Sequence, residues 1–229
     1  MANSLRRHLL PKFLGLSAAT LLVGVGATAQ AQHATMYHPG GSHYGGVHAP
    51  HYPGVPYGAT DVVVGMGETE PVIFYRRAGH YFCVHDGQTT LIRFGETSHA
   101  HDIAHELFVI MTLADEDMVA NYRGNPGYQV THREMHDIFM PCARKLDELT
   151  AVGDVRGAQA QLAHFVDDFD HFAADIRHWH RFGHRQIGRG GLLTKLDDVH
   201  SLILHLSNAL GVNTVNHPVD EHHGHRSGY

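Results

Sequence analysis

Residues 155–180 read VRGAQAQLAHFVDDFDHFAADIRHWH. Within them Leu162, Phe165, Val166, Phe169, Phe172, Ala173, Ile176 and Trp179 recur at three- and four-residue steps, the pattern of one apolar stripe along an α-helix. His164, His171 and His178 follow a heptad step on a line nearly opposite that stripe, with Asp167, Asp168, Asp170 and Asp175 spread over the arc between. A helix over this whole stretch would be about 39 Å long at about 1.5 Å per residue. It needs partners for a greasy face and presents a wet face of imidazoles and carboxylates.

Working outward, three further stretches carry the same helical period. Ser98 has the character of an N-cap for a helix over about 99–122, with Ile103, Leu107, Ile110, Ala114 and Met118 as its stripe and Gly124-Asn125-Pro126-Gly127 as its breaker. Thr131 and Glu134 form a capping-box pattern before a stripe of Met135, Ile138, Phe139, Cys142, Leu146 and Leu149. Pro141 inside that stripe predicts a kink, and Gly153 a stop. A last helix over about 192–210 buries Leu196, Val199, Ile203, Leu206 and Leu210 and closes at Gly211. Four amphipathic helices on short connections predict a mainly α protein, an antiparallel up-down four-helix bundle spanning 98–212.

Ahead of the helices, 61–95 reads as a small β-meander. Val72 to Arg76, His80 to His85 and Thr89 to Phe94 are aromatic and β-branched runs, separated by turns at Arg77-Ala78-Gly79 and Asp86-Gly87. Two or three short strands are marginal alone and should pack on the helices.

The two ends differ in kind. Arg6, Arg7 and Lys12, then the apolar run from Phe13 to Gly26, then Ala29-Gln30-Ala31 have the layout of an export signal over 1–31, which places the mature N-terminus at Gln32. Arg6-Arg7 with the residues that follow also resembles a twin-arginine signal. The apolar run is too short and too rich in small residues to span a membrane comfortably. Residues 32–60 are dominated by His, Gly, Pro and Tyr, with His33, His38, His43 and His48 at a strict five-residue spacing; 213–229 form a polar tail containing His222, His223 and His225. Neither segment has the aliphatic content for a core, so both are expected to be disordered His-rich tails.

Composition narrows the function. Lys+Arg 17 against Asp+Glu 23 gives a formal charge of −6, which disfavours a general nucleic-acid binder. The 24 histidines outnumber all lysines and arginines, and protonating every one would carry the formal charge from −6 to +18. Free imidazole titrates near about 6.5, so this composition signals metal ions and pH together. The two cysteines, Cys83 and Cys142, form no Cys-x-x-Cys, which disfavours a thiolate zinc site. They could pair in an oxidising compartment or stay as buried thiols.

Two His-x-x-x-His pairs place imidazoles one helical turn apart, a chelating spacing. His101-Asp102-Ile103-Ala104-His105 resembles the His-Glu-x-x-His motif of zinc metalloproteases, with the shorter Asp102 where that family carries its general-base glutamate. His132 and His136 open the second helix, and the up-down bundle predicts that His178 and His200 lie near them. No phosphate loop, dinucleotide fingerprint or nucleophile elbow is present in the sequence, and no organic cofactor is indicated. The expectation is an exported helical protein that binds or buffers Zn, Cu or Ni ions. The rival is a non-enzymatic envelope protein whose histidines tune its charge with pH.

Overall fold

A computed structural model describes residues 52–65 and 71–213. Four strands lead: β1 (Thr60–Gly65), β2 (Val72–Arg77), β3 (His80–His85) and β4 (Gln88–Ile92) form one antiparallel sheet in that order. Ala78-Gly79 and Asp86-Gly87 each turn the chain with two positive φ angles, 50° and 80° in the first and 51° and 70° in the second. That is the type I′ geometry whose twist suits a two-residue hairpin, and it brings Arg77 opposite His80 and His85 opposite Gln88. β1 extends the expected three strands to four, with a register shift between Thr60 and Val63.

The sheet is apolar on both faces. Val63, Val72, Phe74, Cys83 and Ile92 join the main core beneath the helices. Ile73, Tyr75 and Val84 point the other way and are covered by Tyr52, Val55 and Ala59. The last residues of the segment expected to be a loose tail therefore lie against the sheet, because alternate positions of β2 are apolar on both sides and neither side tolerates water.

The helices follow. A 3₁₀ turn (Thr97–His99) leads into α1 (Ala100–Asn121). α2 (Tyr128–Glu134) runs through a π-helical turn (Met135–Phe139) into α3 (Met140–Ala151), and α4 (Val155–Ile176) and α5 (Leu192–Leu210) complete the set. α1 packs on α3 and α5, α3 on α4, and α4 on α5, while β1 rests on α5. Phe139, Phe165, Phe169 and Phe172 meet ring to ring at centroid distances of 4.5–6.1 Å in the middle of this core. The architecture is thus an antiparallel four-stranded sheet followed by a helical bundle.

Local details correct several expectations. Ser98 makes no cap: the chain enters α1 through the 3₁₀ turn, where the Ala100 N–H bonds to the Thr97 carbonyl. Thr131 and Glu134 form no capping box, because α2 already begins after Gly127, whose φ of 83° makes the turn, and Thr131 is buried inside the helix. Pro141 produces a π turn just ahead of it. Its ring excludes the carbonyl four residues back and it has no N–H to donate, so the Met140 N–H reaches five residues back to Met135. That turn shifts the buried phase to Met135, Phe139, Ala143 and Leu146 and leaves Ile138 exposed. α4 stops at Ile176, four residues short of the expected end. Cys83 and Cys142 are both free thiols. No helix among the described residues is long and apolar enough to cross a membrane.

Candidate metal centre

The pair His132 and His136 projects from α2 and the π turn towards α1, and the residue that meets it is Asp115. His132 Nε2 lies 3.4 Å from Asp115 Oδ1 and His136 Nε2 lies 3.2 Å from Asp115 Oδ2. One ligand atom from each residue falls within 4.8 Å of the other two, the only His/Cys/Asp/Glu trio among the described residues to do so. Asp115 Oδ1 and His132 Nε2 are buried and neither has a hydrogen-bond partner. His136 is half exposed, so the cluster opens to solvent on that side.

These distances fit ligands better than hydrogen bonds. Two atoms each about 2.1 Å from one tetrahedral ion stand about 3.4 Å apart, whereas a charge-assisted N–H···O bond closes to about 2.8 Å. Two imidazoles and a carboxylate also leave coordination positions free for water or another small ligand.

The surrounding residues fix the ring positions. Tyr128, one turn before His132, stacks on it at 5.1 Å between centroids and 17° between planes. Trp179 packs against Tyr128 and Tyr122. Trp179 is held because Asn125 brackets the next residue, accepting from the His180 N–H and donating to the His180 carbonyl, both at 2.8 Å. Asn121 does the same for Arg185, accepting from its N–H and donating to its carbonyl, and Asn121 also donates to Asp117. A side chain at Gly183 would come within 2.5 Å of Asn121 Oδ1, so this close approach of loop to helix requires glycine there. Beneath the loop, Asp117 and Lys195 form a fully buried ion pair at 2.8 Å.

The other expected ligands go elsewhere. His178 follows the end of α4 and is exposed, and His200 stands 3.9 Å from Asp170 at the surface; neither belongs to the cluster. Asp115 of α1, across a short turn from the pair, is the residue that meets it in their place. His101 and His105 both face Asp147 of α3 at 3.4 Å. Asp102, in the place of the metalloprotease glutamate, turns instead to His99 at 3.8 Å. That carboxylate and the nearby Cys83 sulfur push the His99 imidazole up to about 10, and His99 in turn holds Asp102 below the usual carboxylate range. His33, His38, His43, His48, His222, His223 and His225 lie outside the described residues.

No family model, curated protein or solved structure matches the chain.

Proposed function

We propose that the protein binds a transition-metal ion of the Zn, Cu or Ni class through Asp115, His132 and His136, as part of an exported, histidine-rich metal-binding or metal-buffering protein. The observation that carries this is the buried, unpartnered pair Asp115 Oδ1 and His132 Nε2. Leaving such atoms unsatisfied costs about 1–3 kcal/mol each, and a cation between them would satisfy both. Imidazole with carboxylate suits borderline divalent ions. The helices carrying these ligands are proposed to run antiparallel, in an up-down bundle. Asp115 of α1 meets the end of α2 and the π turn while the start of α1 meets Asp147 of α3, so positions advance along one helix as they retreat along the other.

Trp179 is the single tryptophan of the chain and packs against Tyr128, the ring stacked on His132, so it stands one ring away from this site. Titrating the full chain with Cu²⁺ should quench Trp179 fluorescence saturably. The response should weaken on acidification, because ligation takes the unprotonated ring and releases protons. Replacing His132 and His136 by Ala should abolish the saturable phase, and replacing the exposed His164 and His171 should leave it intact. Equal losses in the two double variants would mean that histidine number, and not this geometry, controls the response.

A further inference from the structure

The first cluster has a counterpart at the opposite end of the same helix pair. His101 and His105 stand one turn apart on α1, and Asp147 of α3 comes between them: His101 Nδ1 and His105 Nδ1 are each 3.4 Å from Asp147 Oδ1. That oxygen is buried and has no hydrogen-bond partner, as Asp115 Oδ1 has none in the first cluster. Both arrangements therefore consist of an i, i+4 histidine pair on one helix and a single aspartate on the other. They are related by exchange of the two helices about the turn at Gly124-Asn125. His101 and His105 are each about half exposed, and both turn to the one buried carboxylate oxygen between them.

We infer that His101, His105 and Asp147 form a second site for a transition-metal ion of the same class, so that the helices hold two ions. The inference rests on the reading of the first cluster as a metal site. The donor set is again two imidazoles and one carboxylate: each nitrogen stands 3.4 Å from the carboxylate oxygen, the separation expected at about 2.1 Å from a shared tetrahedral ion, while the two imidazole nitrogens stand more than 4.8 Å from each other. Two differences set the order of filling. The imidazole centroids are 6.1 Å apart here and 4.7 Å apart in the first cluster. Both nitrogens also converge on one carboxylate oxygen, whereas in the first cluster each has its own. The rings must close further around an ion, so this site fills after the first. The sites are about 18 Å apart along α1, twelve residues at about 1.5 Å each, beyond the screening length of about 8 Å in physiological salt. The two ions therefore bind independently.

The test reads each imidazole separately, so the histidines outside the helices do not confuse it. The untagged full chain is treated with diethyl pyrocarbonate at neutral pH with increasing Zn²⁺, and modification is quantified peptide by peptide by mass spectrometry. Zinc should protect His132 and His136 first, then His101 and His105 together, while His164 and His171 stay reactive. Asp147→Asn should raise the zinc needed for half-protection of His101 and His105 by at least about tenfold, the size of loss that even an outer-shell change produces. Protection of His132 and His136 should be unchanged in that variant, which also reports that the fold is intact. His105→Gln gives a second route to the same loss at His101. If His101 and His105 react at the same rate at saturating zinc while His132 and His136 are protected, the second site is overturned and the first stands. If none of the four is protected, both readings fail. Unchanged protection in Asp147→Asn would overturn the ligand set proposed here.

Discussion

At the scale of single residues, the chemistry is concentrated in groups that burial has moved from their ordinary behaviour. Asp198, on α5, is pushed up to about 7, first by burial and then by its neighbour Asp197, against the pull of Arg189 and Lys195. An unfolded carboxyl titrates near about 3.9, so between about pH 4 and 7 the folded chain keeps a proton that the unfolded chain has released. The stability this brings is fully present below about pH 4 and is lost as the pH rises through 7. Asp198→Asn, neutral throughout, should therefore raise stability at pH 8 by about 1–3 kcal/mol, a few degrees in Tm, and change little near pH 4. Thermal denaturation at the two pH values checks this, and an equal shift at both would remove the titration argument. His205 acts in the opposite sense: burial against Phe74 and Tyr81 lowers its pKa, so its contribution is present above the imidazole range and fades as the solution is acidified. The site shows what a sequence hides at this scale. The spacing of His132 and His136 was legible because the step of one helical turn is a local property. Asp115 was not, being one of 23 acids with nothing local to mark it. The missing signal was positional: Asp115 and the His132/His136 pair are equidistant from the turn at Gly124-Asn125, and so, to within a residue, are Asp147 and the His101/His105 pair.

At the scale of elements, the apolar stripes were a reliable guide and the helix ends were not. Leu162, Phe165, Phe169, Phe172 and Ile176 are all buried on α4, and α5 runs over the expected residues. Stripes survive because burying them is worth about 1.5–3 kcal/mol per large side chain, summed over several side chains, against about 0.5–2 kcal/mol for one cap. Caps yield to that packing, so Ser98 and Thr131 lost their expected roles while Asp154 caps α4 by accepting from the Gly157 N–H at 3.0 Å. The early end of α4 has a tertiary cause: Asn125 takes the backbone of His180 and Asn121 that of Arg185, which helical continuation would deny them. The ion pair of Asp117 with Lys195 ties α1 to α5 under this loop, and Lys195 Nζ also donates to the Gly190 carbonyl. Burial pulls the Lys195 amine below its ordinary pKa, while Asp117 works to keep it charged. Lys195→Met should cost about 3–5 kcal/mol, because it leaves the buried Asp117 carboxylate without its close cation, with Asn121 and Arg181 4.0 Å away as its remaining contacts, and Asp117→Asn with Lys195→Met should recover part of that loss. Denaturant unfolding of the single and double variants checks it; a double variant as unstable as the single one would show that the stranded charge is not the cause.

At the scale of the whole chain, the sheet-then-helices order was legible from the change of period, from two in the strands to about 3.6 in the helices. What was not legible was the cover that Tyr52, Val55 and Ala59 provide for the outer face of the sheet, since three apolar residues in a Gly/Pro-rich run carry no periodic signal. The proposed export makes its own prediction. Protein recovered from outside the cytoplasm should begin at Gln32, so intact-mass analysis should show the loss of about 31 residues, and full-length chain in the cytoplasm would contradict it. The order of packing has a consequence for assembly. β2 pairs with β1, β3 with β2 and β4 with β3, and then α3 lies on α1 and α4 on α3, so each of these elements meets one that came shortly before it. α5 is different: besides α4 it must reach back to α1 and to β1. Contacts this distant in sequence are slow to form, because the loop they close must be ordered before any of them is gained. A chain delivered N-terminus first would thus display the apolar sides of α1, α4 and the sheet until the 19 residues of α5 arrive, and its long-range closure waits for that helix.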